Sequence, residues 1–236
     1  MKRAIVIGAT SGYGQGIAEK LINSGYSVIR LGRSSNPGLD VTNPDQVNKR
    51  FEEFEEDYEN IDLVVYSAGI AIGKDKVEDK DNESFKRVFE VNTIGLLNVL
   101  KASKSLLEKS KGHFIHIGSI AHELAYVGGA DYCASKSASN TIMKTIRKEW
   151  LGSYIRTTSI EIGLGNTNFQ YNRYNGDQQK ADKHKKGIKQ IEPLDLGDFV
   201  VYINNMLPYL NLDEVVLKPI EQASHGLTVL NSKNQF

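Results

Sequence analysis

Cysteine is almost missing from this chain: its 236 residues contain one. That excludes an intramolecular disulfide framework and a multi-cysteine zinc site, and no metal is expected. Net charge is missing too, because 29 basic side chains stand against 29 acidic ones. A protein built for broad capture of nucleic acid or anionic lipid needs a basic surplus, so neither partner is expected. No apolar run approaches the roughly 18 residues of a membrane-spanning helix. Met1-Lys2-Arg3 leads into only four apolar residues before Gly8, too short a stretch for a secretion signal. The expectation is a soluble, cytoplasmic protein. Its length suits a single domain over residues 1–236, with enough chain to bury a sizeable core. No internal repeat, low-complexity tract or linker divides it.

What the chain does have is alternation. Short β-rich runs at Ala4–Ile7, Val28–Leu31, Ile61–Tyr66, His113–Ile117 and Thr158–Ile162 are each bounded by Gly, Asn or Ser. Between them, Gly14–Ser24, Asp45–Tyr58, Phe85–Lys109 and Ala130–Tyr154 repeat apolar residues at helical spacing. This order predicts an α/β fold, a doubly wound parallel sheet of Rossmann type with helices on both faces. Asn43-Pro44 reads as a helix start, capped by Asn43 or Thr42. Only Gly32–Leu39 separates Leu31 from Asp40, fewer residues than a helical crossover needs, so the second helix is expected to be replaced by a loop. The polar stretch Gly163–Gln190 shows no clear strand and reads as a long binding loop. Its charge run, Lys180–Lys189, reads as a solvated helix face.

Two constellations carry chemistry. Gly8-Ala9-Thr10-Ser11-Gly12-Tyr13-Gly14 follows the first strand and opens the first helix, which suits a tight turn holding a pyrophosphate at a helix N-terminus. Its G-x-x-x-G-x-G spacing departs from the commoner G-x-G-x-x-G, and incidental turn glycines would read the same way. Further on, Gly118-Ser119 precedes Tyr132-Cys133-Ala134-Ser135-Lys136. Tyr132 and Lys136 are one helical turn apart and share a face. A nearby ammonium favours the phenolate and lowers a pKa that otherwise lies near 10. A shift of two to three units is worth roughly 3–4 kcal/mol. By itself Y-x-x-x-K equally describes a solvated surface pair; the combination with the glycine turn is what informs.

Together these residues resemble the short-chain dehydrogenases/reductases. The glycine turn, Asn92 in Val91-Asn92-Thr93-Ile94-Gly95, Ser119, and Tyr132 with Lys136 recur in that order, and Ile160–Thr167 and Pro193-Leu194-Asp195 extend the likeness over nearly the whole chain. Departures are also present. Tyr66-Ser67-Ala68-Gly69 stands where the family has Asn-Asn-Ala-Gly, Ile162 replaces a proline, and His116 replaces an Asn. The loop after the second strand is similar to a compact subset of the family.

The resemblance implies a nicotinamide cofactor and a carbonyl or secondary-alcohol substrate. Tyr132 would be the general acid and base, Ser119 would hydrogen-bond the reacting oxygen, and Lys136 would tune Tyr132 and hold the nicotinamide ribose. Asn92 would hold a water behind Lys136. Gly8, Thr10, Ser11, Gly12, Tyr13, Gly14, Ala68 and Gly69 would surround the cofactor, Thr167 with the Ile162 backbone would grip its carboxamide, and Asp40 with Val41 would meet the adenine. After the second strand the chain offers Gly32-Arg33-Ser34-Ser35 and no acid before Asp40. Arg33 and Ser34 therefore favour NADP over NAD, because an acid there would repel the 2′-phosphate.

Other residues have plainer readings. Cys133 packs, His122 is a surface-loop histidine or a wall of the substrate pocket, His184 is solvated, and Trp150 belongs to the core or a subunit interface. Glu52, Glu53, Glu55 and Glu56 form an exposed helix face. The substrate would be set by Gly163–Ile191 and the residues after Ser119, with Tyr126, Phe169, Tyr171 and Tyr174 as aromatic walls or loop packing. A cofactor-sensing module without turnover is the alternative function, which the Ser119–Tyr132–Lys136 set disfavours. A sugar-nucleotide epimerase would need more chain after Pro193. A homodimer or homotetramer through Phe85–Lys109 and Ala130–Tyr154 is implied by the family.

Overall fold

Alternating side chains of the central strands feed two different cores, and that pattern builds the sheet. In a computed structural model of the chain, which describes residues 1–36, 38–182, 188–224 and 226–229, strand β1 (Arg3–Ile7) sends Ile5 and Ile7 into one core and Ala4 and Val6 into the other. Helix α1 (Gly12–Asn23), strand β2 (Ser27–Leu31), helix α2 (Pro44–Asp57) and strand β3 (Leu63–Tyr66) follow. All four residues of β3 are fully buried, each contributing roughly 1.5–3 kcal/mol. Asn43 caps α2 by accepting from the Gln46 N–H at 3.0 Å, a contribution of about 1 kcal/mol.

Helix α3 (Asn82–Phe89) runs through a π-helical turn at Glu90–Ile94 into helix α4 (Gly95–Ser110). Strand β4 (His113–Ile117), helix α5 (Ala130–Glu149) and strand β5 (Arg156–Ile162) complete the middle of the chain. The short helices α6 (Phe169–Arg173) and α7 (Gln178–Asp182), helix α8 (Pro193–Asn204), strand β6 (Glu214–Leu217) and a small hairpin, β7 (Gln222–Ser224) with β8 (Leu227–Thr228), end it. The six long-sheet strands are parallel in the order β2-β1-β3-β4-β5-β6. One core lies under α2, α4 and α5 and the other under α1 and α8. This is the expected Rossmann-like α/β sandwich.

Several expectations are refined. Among the described residues of 32–43 there is no helix, as predicted, and Leu39–Val41 form no strand either, so β2 is the sheet edge. Strand β6 has no counterpart in the sequence reading. The stretch Gly163–Gln190 is not plain loop: it contains α6 and α7, and Gly165 bridges to Ile191. His184 and the centre of the Lys180–Lys189 run lie outside the described residues. Trp150 is buried edge-on to Phe114 in the core, and Cys133 is buried. Glu52, Glu55 and Glu56 are exposed and Glu53 is half-buried. No helix among the described residues is long and apolar enough to cross a membrane.

Candidate active site

The strand order reverses between β1 and β3, and the loops leaving those strands part to open a cleft at the carboxyl edge of the sheet; ligands of doubly wound sheets bind at such a point. Gly8, Thr10, Ser11, Gly12, Tyr13, Arg33, Asp40, Val41, Ala68, Gly69, Ile162 and Thr167 line this one cleft with Ser119, Tyr132 and Lys136. Gly14, Ser34 and Asn92, of the predicted set, do not. Gly14 lies behind the turn, where an added Cβ would stand 2.2 Å from the Gly8 carbonyl oxygen. Gly8 itself has φ +81° and a Cβ there would lie 2.7 Å from the Ala68 nitrogen, so the turn closes only with glycine. Ser11, extended at φ −161°, does not cap α1 with its side chain. The first-turn N–H groups keep their capacity for an anion, and the cradle fits a pyrophosphate.

At the other end of the cleft, Tyr132 and Lys136 come from one face of α5 and Ser119 from the end of β4. Tyr132 is 8% and Lys136 5% exposed. Lys136 Nζ donates to the Ile117 carbonyl at 3.2 Å and lies 5.9 Å from the Tyr132 ring centre. Burial pulls the Lys136 ammonium down to about 8, partly offset by Glu161. Burial pushes the Tyr132 phenol up to about 12, against the Ser119 hydrogen bond and the Arg173 charge that pull it down. The expected lowering of Tyr132 by Lys136 is therefore corrected: with its charge desolvated and bound to a carbonyl, Lys136 does not overcome the phenol's own burial.

Asn92 sits in the π-helical turn, fully buried. Its amide donates to the Ile70 carbonyl at 2.9 Å and to Ser135 Oγ at 3.0 Å, and its oxygen accepts from the Ile70 N–H at 2.8 Å. It braces the chain leaving β3, next to the family's second Asn position, where Ser67 stands. Asp40 accepts from the Thr42 N–H and hydroxyl at 3.0 and 2.8 Å. Burial would raise its carboxyl, yet these bonds and the charges of Arg87 and Arg33 hold it below the usual range. Tyr126 and Phe169 are cleft walls; Tyr171 and Tyr174 are not.

Three functional candidates escaped sequence reasoning. Arg87 lines the cleft with Nη2 4.0 Å from Asp40. Arg173 stands beside Tyr132. Glu161, 1% exposed, accepts from the Ser119 N–H at 2.6 Å, the Ser159 hydroxyl at 2.6 Å and the Asn140 amide at 2.9 Å. Despite burial, bonds from His122, Ser159 and Asn140 and the nearby His116 draw its carboxyl down to about 2. His116, in turn, is held neutral by burial, at about 3, with Nδ1 2.9 Å from Ser159 Oγ.

His122 is neither a surface-loop histidine nor a pocket wall. Its Nδ1 lies 2.9 Å from the Ser119 carbonyl and 3.3 Å from Glu161, and its Nε2 lies 3.5 Å from Glu214. Each ring nitrogen thus faces a carboxylate, and the Glu161 hydrogen bond raises the pKa of the ring from its ordinary value. A group raised on folding adds stability below its unfolded pKa, and that stability fades as pH climbs through the folded value. His122→Ala should thus lower the melting temperature more at about pH 6 than at about pH 9. Equal losses at the two pH values would mean that His122 contributes packing and not charge.

Rossmann-like oxidoreductases share this layout of sheet, glycine cradle, half-buried serine and buried tyrosine and lysine. Residues 2–178 match the short chain dehydrogenase family, and the chain belongs to it. Over 97% of its length it is 29% identical to the NADP-dependent 3-hydroxy acid dehydrogenase YdfG of Salmonella typhi, covering 99% of that protein. It is 27% identical to the serine 3-dehydrogenase of Agrobacterium fabrum over 95% of this chain and 96% of that one. Among solved structures, the closed form of serine dehydrogenase complexed with NADP+ superposes with a TM-score of 0.90 at 28% identity, covering 96% of this chain and 98% of that one.

Proposed function

We propose that this protein is an NADP-dependent oxidoreductase that interconverts a small 3-hydroxy acid and its oxo acid, with Tyr132 as general acid and base. The observation that carries this reading is the meeting of Ser119, Tyr132 and Lys136 in the same cleft that begins at the Gly8–Gly14 cradle. Support for NADP comes from Arg33, an exposed cation on the adenosine side, and from Gly32, which follows β2 where an acid would repel a 2′-phosphate. The NADP dependence in the name of YdfG and the NADP+ bound to the similar serine dehydrogenase structure agree, and the relatives' names supply the 3-hydroxy acid class.

When bound, a nicotinamide would supply the hydride acceptor for oxidation and the hydride donor for reduction. Tyr132 takes the hydroxyl proton in oxidation and gives one to the carbonyl oxygen in reduction. Ser119 holds that oxygen, and Glu161 holds Ser119 by its N–H. Lys136 would hold the nicotinamide ribose, Thr167 and the Ile162 backbone would hold the carboxamide, and Asp40 and Val41 would hold the adenine; all of them line the cleft. Asn92 keeps the loop after β3 in place. The chain works as one domain in a homodimer or homotetramer, with α3–α4 and α5 as its contact faces.

Purified protein supplied with NADPH and oxo acids, ketones and aldehydes, or with NADP+ and hydroxy acids, should turn over, with 3-hydroxy acids among the best substrates. Nicotinamide absorbance follows the reaction. Cofactor binding without turnover on the whole panel would favour a sensor over an enzyme.

A further inference from the structure

Arg173 is the least comfortable charge among the described residues. It ends α6 and is only 2% exposed. Its Nε donates to the Gly73 carbonyl at 2.8 Å and its Nη1 to the Tyr126 hydroxyl at 2.9 Å. Its own carbonyl accepts from the Gly73 N–H at 2.9 Å, so main chain and side chain are both pinned. Nη2 is buried with no hydrogen-bond partner, and no carboxylate among the described residues forms an ion pair with this guanidinium. A buried, unpaired cation is costly and is normally matched by an anion. Nearby, Lys74 Nζ lies 5.0 Å from the Tyr126 ring centre. Burial and the Arg173 charge pull that ammonium's pKa down. Two cations thus flank the ring of Tyr126, itself a wall of the cleft.

This wall adjoins the reacting groups. The Arg173 guanidinium carbon lies 5.7 Å from the Tyr132 ring centre, and Phe169 of the same short helix packs on that ring at 5.4 Å. We infer that Arg173 is the specificity residue for an anionic substrate, taking its carboxylate on Nη2, while the substrate's hydroxyl or carbonyl oxygen meets Ser119 and Tyr132. This rests on the oxidoreductase reading above and deepens it. The proximity of cation and phenol admits only a few atoms between carboxylate and reacting carbon, which a 3-hydroxy acid satisfies. A guanidinium already held by two fixed acceptors loses little freedom on binding, and charge-assisted bonds of this kind are the strong ones.

The test pairs a 3-hydroxy acid with its neutral methyl ester, which keeps the reacting carbon and removes the charge. Arg173→Ala should raise KM for the acid about ten- to a hundred-fold while leaving KM for the ester within about threefold. NADPH affinity should not change. Arg173→Lys, which keeps the charge and loses the fork, should recover part of the loss. Calorimetric binding of the acid to wild type and to Arg173→Ala, with NADPH present, gives a readout independent of turnover and should show the same loss. Equal weakening for acid and ester would make Arg173 a structural residue and overturn the inference. So would a wild-type enzyme that reacts with the ester and ignores the acid, although the oxidoreductase reading would then stand. Acid binding that needs Arg173, without turnover of acid or ester, would uphold the inference and remove the oxidoreductase reading.

Discussion

Tyr132→Phe should lower kcat at least about a hundred-fold while leaving NADPH affinity nearly intact, in line with the usual worth of a positioned acid–base group. The substitution removes one oxygen and keeps the ring. That ring is buried and packs at a tilt on Phe169 at 5.4 Å, so the wall it forms survives. Lys136 keeps its bond to the Ile117 carbonyl and, on the proposed reading, its place beside the ribose. On the same reading Ser119 would still hold the substrate oxygen but has no proton of suitable acidity to give. Burial, which pushes the phenol's pKa up to about 12, favours the protonated form that donates in reduction. Steady-state kinetics with a fluorescence titration of NADPH separates the two effects. Turnover near the wild-type rate in this variant would remove Tyr132 from the reaction.

Arg33→Ala should weaken NADPH about ten- to a hundred-fold and leave NADH almost unchanged, because only NADPH carries the 2′-phosphate. The loop that carries Arg33 is held by its neighbours and not by the arginine. Gly32 N–H donates to Ser35 Oγ at 2.9 Å, Ser35 Oγ donates to the Gly32 carbonyl at 2.7 Å, and the Leu39 N–H donates to the same carbonyl at 3.0 Å. Removing an exposed side chain from so closed a loop leaves the fold intact. Arg87, close to Asp40, is the second cation at that end and limits the loss. Dissociation constants for both cofactors decide the point; equal weakening would make Arg33 a residue of the loop and not of the phosphate.

Much of this site was legible in the sequence because its parts are local. The glycine turn is seven consecutive residues, Tyr132 and Lys136 are one helical turn apart, and a strand boundary places Ser119. The five apolar runs that became β1–β5 are bounded by turn residues, whereas Glu214–Leu217 is four residues long and only partly buried, too little for periodicity to show. What could not be read were side chains whose meaning comes from distant partners. Arg173 is fixed by Gly73 and Tyr126, 100 and 47 positions away. Glu161 looks like an ordinary strand glutamate until Ser119, His122 and Asn140 close around it, and the same closure sets His122 between Glu161 and Glu214. The phenol's pKa failed for a related reason: spacing reveals that a lysine is near, but only burial decides how much its charge counts.

The central claim is a direct hydride transfer from a substrate carbon to the nicotinamide, with the hydroxyl proton leaving through Tyr132. A 3-hydroxy acid carrying deuterium on its carbinol carbon, incubated with NADP+ and the protein, tests it most directly. Mass analysis of the product cofactor should find one deuterium in NADPH, and Tyr132→Phe should slow its appearance together with turnover. Deuterium released to water, or NADPH formed without it, would contradict the account.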